Sequence, residues 1–136
     1  MEYYKITNEE ENHNWLQYSD GLITDPLPFN PSGDCTPGGI YFAAEDILAF
    51  LDYGPWIRKV TIPEGEEIYE NPGKPKKYKA HRIILGPRRR ITAEVIGDLL
   101  DQGAYIHADN DYALRLAVMN RHTETAQLLR ARGAGY

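Results

Sequence analysis

The sequence has little of what secreted, zinc-binding or membrane-spanning proteins depend on. It contains a single cysteine, Cys35, which excludes an internal disulfide framework and a multi-cysteine zinc site. No apolar run approaches the roughly 18 residues that a membrane-spanning helix requires, and the acidic N-terminus lacks the apolar stretch of a signal peptide. We therefore expect an intracellular protein with no membrane partner.

Metal and cofactor signals are also scarce. The four histidines, His13, His81, His107 and His122, show no metal-ligand spacing, and the sequence has no phosphate-loop or dinucleotide fingerprint. We therefore expect no metal and no cofactor. Cys35 lies in a Pro- and Gly-rich loop, where an incidental thiol is favoured over a nucleophile.

Basic residues are few except in one segment. The formal net charge is −5, yet residues 74–90 hold eight of the 15 basic residues and no acidic one. Candidate anion-binding residues in this segment are Lys76, Lys77, Lys79 and Arg82. Alternatively, these side chains belong to a solvated loop and an edge strand, where lysines discourage edge pairing. Because the whole chain is acidic, nucleic-acid binding by residues 74–90 is the less favoured alternative for this segment.

The first 90 residues predict a small α+β domain. Strands are expected, from β-branched and aromatic runs, at residues 3–7, 39–42, 56–62, 67–69 and 78–85. Apolar residues at Ala44, Ile47, Leu48 and Leu51 predict an amphipathic helix over residues 43–53. The expected fold is a small mixed or antiparallel sheet with one main helix, followed by a helical segment packed on it.

A repeated phrase marks the last 46 residues. LLDQGA at Leu99–Ala104 recurs as LLRARGA at Leu128–Ala134, a spacing of about 30 residues that is near the roughly 33-residue ankyrin period. YALRLA at Tyr112–Ala117 stands where that family has its first-helix motif, and Asn120–His122 stands at the turn between helices. This segment resembles an ankyrin repeat preceded by the second half of another, about one and a half repeats.

The ankyrin resemblance implies a protein-binding surface. The sequence departs from the family at two turns, where Tyr112-Ala113 replaces Thr-Pro and Arg121 replaces Gly. The turn tips and first-helix face of ankyrin arrays usually make the contacts, which implies binding by Asp109, Asn110, Asp111, Tyr112 and Arg115. About three stacked repeats are normally needed to bury the apolar faces, so a homo-oligomer formed through the ankyrin face is also expected.

The preceding residues resemble the leader domain of ankyrin-repeat proteins from giant DNA viruses of the mimivirus type. The resemblance rests on GLITDPLPFNPSGDCTPGGIYF at residues 21–42 and on YGPWIRKVTIPEGEEIYENPGKPKKYKAHRIILG at residues 53–86. It implies an α+β leader at residues 1–90 and a truncated ankyrin segment at residues 91–136. It also implies a non-enzymatic interaction module, a viral or phage factor that binds a host protein in the host cytoplasm.

One motif favours a different function. GGIYFA at Gly38–Ala43 is similar to a strand-to-helix motif of ADP-ribosyltransferases of the poly(ADP-ribose) polymerase kind, whose tyrosine stacks on nicotinamide. This resemblance implies an NAD- or nucleotide-binding domain, active or inactive, with a site at Gly38, Gly39, Tyr41 and Tyr4.

The enzymatic interpretation lacks an evident catalytic carboxylate. The candidates for the glutamate of that family are Glu66, Glu67 and Glu70. The alternative is structural, since two glycines permit a tight turn and place Ile40 and Phe42 on one core-facing side of a strand. Whether the chain is an enzyme therefore stays open, with a non-enzymatic role favoured.

Overall fold

The computed structural model describes residues 2–13, 16–32 and 37–135, so the prediction made for Cys35 lies outside the described residues. The strands in this part of the chain are β1 Tyr3–Thr7, β2 Asn12–His13, β3 Leu16–Gln17, β4 Gly21–Thr24, β5 Ile40–Phe42, β6 Trp56–Thr61, β7 Ile68–Glu70, β8 Tyr78–Ala80, β9 Arg82–Leu85 and β10 Arg89–Arg90. The helices are a 3-10 helix at Ile47–Tyr53 and the α-helices α1 Ala93–Asp101, α2 Ala108–Met119 and α3 Thr123–Ala131.

The strands form three antiparallel sheets. The largest has the order β1-β6-β9-β4, with β10 also paired with β6. A second sheet has the order β5-β8-β7, and β2 pairs with β3. With the three α-helices following the strands, the chain is an α+β arrangement.

The predicted architecture of one small sheet with one main helix is wrong. The described residues form three sheets, and the segment at 78–85 is two strands rather than one. The chain passes from the second sheet to the largest sheet at His81, whose carbonyl oxygen accepts the backbone N–H of Asp25 at 3.0 Å. A continuous run of β-forming residues therefore hides a change of sheet.

The prediction of an amphipathic helix over residues 43–53 is also wrong. Only Ile47–Tyr53 is helical, and this helix is of the 3-10 type. Ala43 cannot begin a helix since it exchanges two backbone hydrogen bonds with Tyr4 on β1, at 2.7 and 2.9 Å. The Asp46 carboxylate accepts the backbone N–H of Lys76 and makes no cap hydrogen bond. Long-range pairing thus overrides the helical spacing of the apolar residues.

Strands and α-helices share an apolar core. One cluster consists of Ile6, Ala43, Ile47, Leu48, Ile57, Val95, Ile96, Leu99, Ala113, Leu114, Ala117, Ala126 and Leu129. A second cluster lies among the sheets and consists of Tyr18, Ile23, Ile40, Phe42, Ala44, Val60, Tyr78, Ala80, Ile83 and Leu85. A backbone hydrogen bond of 2.7 Å from Tyr105 to Glu45 also joins the helical segment to the strands.

The repeated phrase has the same geometry in both copies. Gly103 and Gly133 follow α1 and α3 with φ of 104° and 105°, a left-handed conformation that favours glycine. In both copies the N–H of the next alanine donates to the carbonyl of the leucine four residues before the glycine, at 3.0 Å. Arg121 lies two residues after the end of α2 and has φ of 58°, which is why its position favours glycine.

Candidate functional site

The residues predicted to bind a protein lie together at the start of α2. Asp109, Asn110 and Asp111 have φ of 54°, 55° and 56°, so regular right-handed helix begins only at Tyr112. Aspartate and asparagine adopt the left-handed conformation more readily than other non-glycine residues, which explains why this turn forms here. We call residues 107–112 the tip.

Arg115 holds the tip from within α2. Its guanidinium donates from Nε to the carbonyl of Asn110 at 3.0 Å and from Nη2 to the carbonyl of Asp109 at 2.7 Å. The same group lies 5.2 Å from the centre of the Tyr112 ring. The side chains of Asp109 and Asn110 are exposed, while Arg115 is half-buried. Arg115 therefore positions the backbone of the tip, and the side chains of Asp109 and Asn110 are accessible to a partner.

The other two predicted residues connect the tip to the rest of the chain. Oδ1 of Asp111 accepts the backbone N–H of Gly135 at 3.3 Å and lies 2.7 Å from His107 Nδ1. Burial, followed by the negative charge of Asp52 in the 3-10 helix, raises the pKa of Tyr112 above its ordinary value of 10.0. The structure thus brings all five predicted residues together, with different roles.

A cavity of about 680 Å³ lies beside β1 and β5. We call it the Lys5 cavity. The set predicted from the ADP-ribosyltransferase motif lines it in full: Tyr4, Gly38, Gly39 and Tyr41. Other lining residues with ionisable side chains are Lys5, His13, Tyr18, Asp25 and Lys77, of which only Lys77 was predicted from the sequence, as an anion-binding residue. A lysine in the middle of an aromatic and β-branched strand is the signal that could have found Lys5.

Burial changes the acid–base behaviour of this cavity. Nζ of Lys5 donates to the carbonyl of Tyr41 at 2.6 Å and lies 5.0 Å from the centre of the Tyr18 ring. Loss of solvent lowers the pKa of Lys5 to about 8 and raises the pKa of Tyr18 to about 12. Burial, followed by the Lys5 charge, lowers the pKa of His13 below 6.5.

The carboxylate in the cavity wall has a structural role. Oδ1 of Asp25 accepts the backbone N–H of Leu27 at 2.8 Å, and Oδ2 accepts that of Gly39 at 2.9 Å. Within the described residues, the lining contains none of the candidate glutamates, Glu66, Glu67 and Glu70. Among the described lining residues, the cavity therefore offers binding groups and one carboxylate, Asp25, which is engaged by backbone N–H groups.

The two glycines in the wall allow close approach. A Cβ added at Gly38, where φ is 92°, would lie 2.6 Å from the carbonyl oxygen of Pro28. Ile40 and Phe42 are buried in the second apolar cluster, while Tyr41 between them is half-buried and lines the cavity. The same segment thus supplies both a tight turn and a cavity wall.

The predicted anion-binding residues lie in a loop and on two different sheets, since Lys76 and Lys77 precede β8. Lys79 on β8 is fully buried, and the ammonium groups of Lys77 and Lys79 lie 5.2 and 5.4 Å from the centre of the Tyr41 ring. Arg82 lies on β9 of the largest sheet. These residues therefore do not share one sheet face.

The other two predicted anion-binding residues, Lys76 and Arg82, form ion pairs with carboxylates. Lys76 Nζ lies 3.5 Å from Glu45, and Arg82 Nη2 donates to Glu66 at 2.8 Å. Both contacts are partly or largely exposed to solvent, where ion pairs contribute little stability.

A buried ion pair that the sequence analysis did not predict joins Arg58 on β6 to Glu11. Arg58 donates to the two carboxylate oxygens of Glu11 at 2.7 and 2.8 Å, and to Asp20 at 2.6 Å. The side chains of Arg58 and Glu11 are each 4% exposed. Such a pair fixes the loop that carries Glu11 against β6.

Metal binding and membrane insertion find no support in the described ranges. No group of three or more histidine, cysteine or acidic side chains in these ranges is arranged to hold a metal ion. No helix within the same ranges has both the length and the apolarity needed to cross a bilayer.

Comparison with known proteins finds relatives of the chain in Acanthamoeba polyphaga mimivirus. "Uncharacterized protein R869" is 33% identical over 132 residues, covering 90% of this chain and 92% of the relative. The chain belongs to this mimivirus protein family. "Putative ankyrin repeat protein R229" is 35% identical over 130 residues, and "Putative ankyrin repeat protein R868" is 30% identical over 114 residues.

The members of this mimivirus family differ in length. The chain spans 42% of the first of these ankyrin-named relatives and 57% of the second. No family model matches the chain, and no solved structure matches it significantly. The sequence resemblance to mimivirus ankyrin-repeat proteins is thus confirmed by relatives that align over most of the chain.

Proposed function

We propose that this member of the mimivirus family is a protein-interaction module that binds a host protein through the tip. The observation that carries the proposal is the pair of exposed side chains, Asp109 and Asn110, on a turn whose carbonyl groups Arg115 holds. A surface that is ordered before association loses little conformational entropy on binding. In this proposal residues 91–136 form the binding segment and residues 1–90 the leader that supports it.

The names of several relatives support the same role. Three of them are named as ankyrin repeat proteins, and repeat arrays of this kind present extended binding surfaces. The tip is the part of this chain that corresponds to the contact-making turns of such arrays. A host protein in the cytoplasm is the proposed partner, since the relatives are viral.

Substituting both exposed residues by glycine tests the tip directly. Asp109→Gly/Asn110→Gly removes two side chains while keeping the left-handed backbone, because glycine adopts positive φ freely. We expect affinity for the partner to fall at least about tenfold, as for loss of a central contact pair. Partners captured from Acanthamoeba extract by the parent chain are identified by mass spectrometry, purified and titrated calorimetrically.

The matched control removes two exposed side chains from α3, in Gln127→Ala/Arg130→Ala. This variant should bind as the parent does. Equal capture by the parent and by the glycine variant contradicts the tip as the binding site. Light scattering tests whether the chain forms a homo-oligomer. If the parent chain is a dimer and the glycine substitutions dissociate it, the tip binds a second copy of the chain instead of a host protein.

A second candidate function is NAD or nucleotide binding by residues 1–90. The observation that favours it is the Lys5 cavity, which Tyr4, Gly38, Gly39 and Tyr41 all line. Because Asp25 is engaged by backbone N–H groups, this candidate is a binding function without turnover.

We expect NAD to raise the melting temperature of the parent chain, since a ligand that binds only the folded state stabilises it. Tyr41→Ala should abolish the shift, whereas Tyr105→Ala, which removes an exposed tyrosine outside the cavity, should preserve it. Mass spectrometry should recover NAD intact. The absence of a shift at millimolar NAD would exclude this candidate, and release of nicotinamide would contradict binding without turnover.

A further inference from the structure

Two cations on neighbouring strands have different surroundings. Lys5 on β1 and Arg58 on β6 are direct cross-strand partners. Arg58 is paired with the carboxylates of Glu11 and Asp20. Lys5 has no such pair, since no carboxylate within residues 2–13, 16–32 and 37–135 forms a salt bridge with its ammonium group.

The ammonium group of Lys5 is desolvated but only partly compensated. Among the described residues it donates one hydrogen bond, to the carbonyl of Tyr41, and contacts the ring face of Tyr18. A carbonyl and a ring face offset less of the cost of desolvating a charge than a carboxylate does. Since the pKa of Lys5 falls only to about 8, the group remains mainly charged at neutral pH. An anion beside Lys5 would supply the missing countercharge.

The walls of the Lys5 cavity suit an anion that carries a planar ring. Aromatic side chains make up much of the lining: Tyr4, Tyr18, Tyr41, Phe50 and Tyr53. Lys77 adds a second ammonium group, and the one carboxylate among the described lining residues, Asp25, already accepts two backbone N–H groups. A volume of about 680 Å³ lies within the usual range for sites that enclose small molecules.

We infer that the Lys5 cavity binds a small organic anion, with its phosphate or carboxylate group on Nζ of Lys5 and its ring against the tyrosine-lined wall. The inference uses the same cavity as the second candidate function and gives the chemical class of its ligand. It requires neither NAD nor a reaction. Adenosine nucleotides and aromatic carboxylates share the required chemistry, an anionic group joined to a planar ring.

Titration calorimetry with ADP, benzoate and inorganic phosphate distinguishes a ring-bearing phosphate from an aromatic carboxylate as the ligand, and inorganic phosphate tests an anion without a ring. We expect ADP or benzoate to bind the full chain, and phosphate alone to bind more weakly because it has no ring. Lys5→Met keeps the side-chain length and removes the charge. It should weaken binding roughly ten- to a hundredfold, as expected for losing a charge-assisted hydrogen bond. Lys5→Arg, which restores the charge, should recover part of the affinity.

Two controls separate binding from folding. Lys59→Met removes an exposed lysine from β6 outside the cavity, and its affinity should equal that of the parent. Thermal melts without ligand should show Lys5→Met at least as stable as the parent, because an incompletely compensated charge has been removed. A destabilised Lys5→Met would assign Lys5 a structural role and overturn the inference.

The outcomes distinguish this inference from the NAD candidate. Binding of benzoate or ADP that depends on Lys5, with no response to NAD, supports the inference and excludes NAD. A response to NAD that is unchanged in Lys5→Met keeps the nucleotide candidate and overturns the assignment of Lys5. Failure of both ADP and benzoate to bind the parent overturns the inference outright.

Discussion

Arg58→Met is expected to lower the free energy of unfolding by about 3–5 kcal/mol, the usual cost of removing one partner from a buried ion pair. Both carboxylate oxygens of Glu11 accept hydrogen bonds from Arg58, at 2.7 and 2.8 Å. Methionine would leave that carboxylate buried without its main cation. Arg88, 3.4 Å from Glu11, is largely exposed and compensates only in part. Urea denaturation followed by circular dichroism measures the loss.

Lys59→Met provides the matched control for Arg58→Met on the same strand. Lys59 pairs with Glu2 at 3.0 Å on the surface, where solvent screening makes the pair weak, so its loss should be a small fraction of that for Arg58. The double variant Arg58→Met/Glu11→Gln should recover part of the stability because no unpaired charge remains buried. Equal losses for Arg58→Met and Lys59→Met would refute the importance of the buried pair.

Acid should weaken the same contact. Hydrogen bonds from Arg58 hold the pKa of Glu11 below its ordinary value of 4.5. Because the pKa of Glu11 is lower in the folded than in the unfolded chain, the contact stabilises the fold above about pH 4.5 and loses this effect as pH falls through the folded-state pKa. The difference in unfolding free energy between the parent and Arg58→Met should therefore narrow at low pH.

Leu114→Ala is expected to cost about 2–5 kcal/mol of unfolding free energy. Leu114 on α2 is 1% exposed and belongs to the apolar cluster that also contains Ile6 and Ile57 from the strands. Truncation would leave a cavity at the junction between the helices and the largest sheet. Tryptophan fluorescence reports on residues 1–90, where both tryptophans lie, and far-ultraviolet circular dichroism reports on the helices. In urea, the unfolding midpoints measured by the two signals should decrease together.

Met119→Ala is the control for Leu114→Ala on the same helix. Its side chain is 68% exposed, and such surface changes usually alter stability by no more than about 0.5 kcal/mol. If only the helical signal shifted in Leu114→Ala, residues 1–90 and 91–136 would unfold separately, and the shared core would not couple them. A loss in Leu114→Ala as small as that in Met119→Ala would contradict the importance of the core position.

Local sequence signals predicted the α-helices well. A threonine before an apolar helical pattern predicts a cap, and the hydroxyl of Thr92 accepts the backbone N–H of Val95 at 3.2 Å. Glycine is typical of helix ends, and Gly103 and Gly133 each lie two residues after the last residue of α1 and α3. Helix caps, apolar spacing and left-handed glycines depend on residues only a few positions apart. They can therefore be recognised in the sequence alone.

The sheets and the cavity were predicted less well. The strand at Tyr3–Thr7 was confirmed, but nothing within it shows that Lys5 faces a cavity whose opposite wall carries Tyr41. The four two- to four-residue strands β2, β3, β4 and β10 were not predicted, because strands so short lack a resolvable alternation. Their existence depends on partners distant in sequence.

The sequence by itself determined the helical repeat, its closing glycines, the polar tip and the membership of the mimivirus family, because each depends on short-range patterns or on direct similarity. Tertiary structure alone decided that Arg58 is paired with Glu11 while its cross-strand partner Lys5 is not. It also decided that Tyr4 and Tyr41 line one cavity. The physical reason is distance along the chain: the energy of a desolvated charge depends on which groups folding brings beside it, and those groups lie tens of residues away.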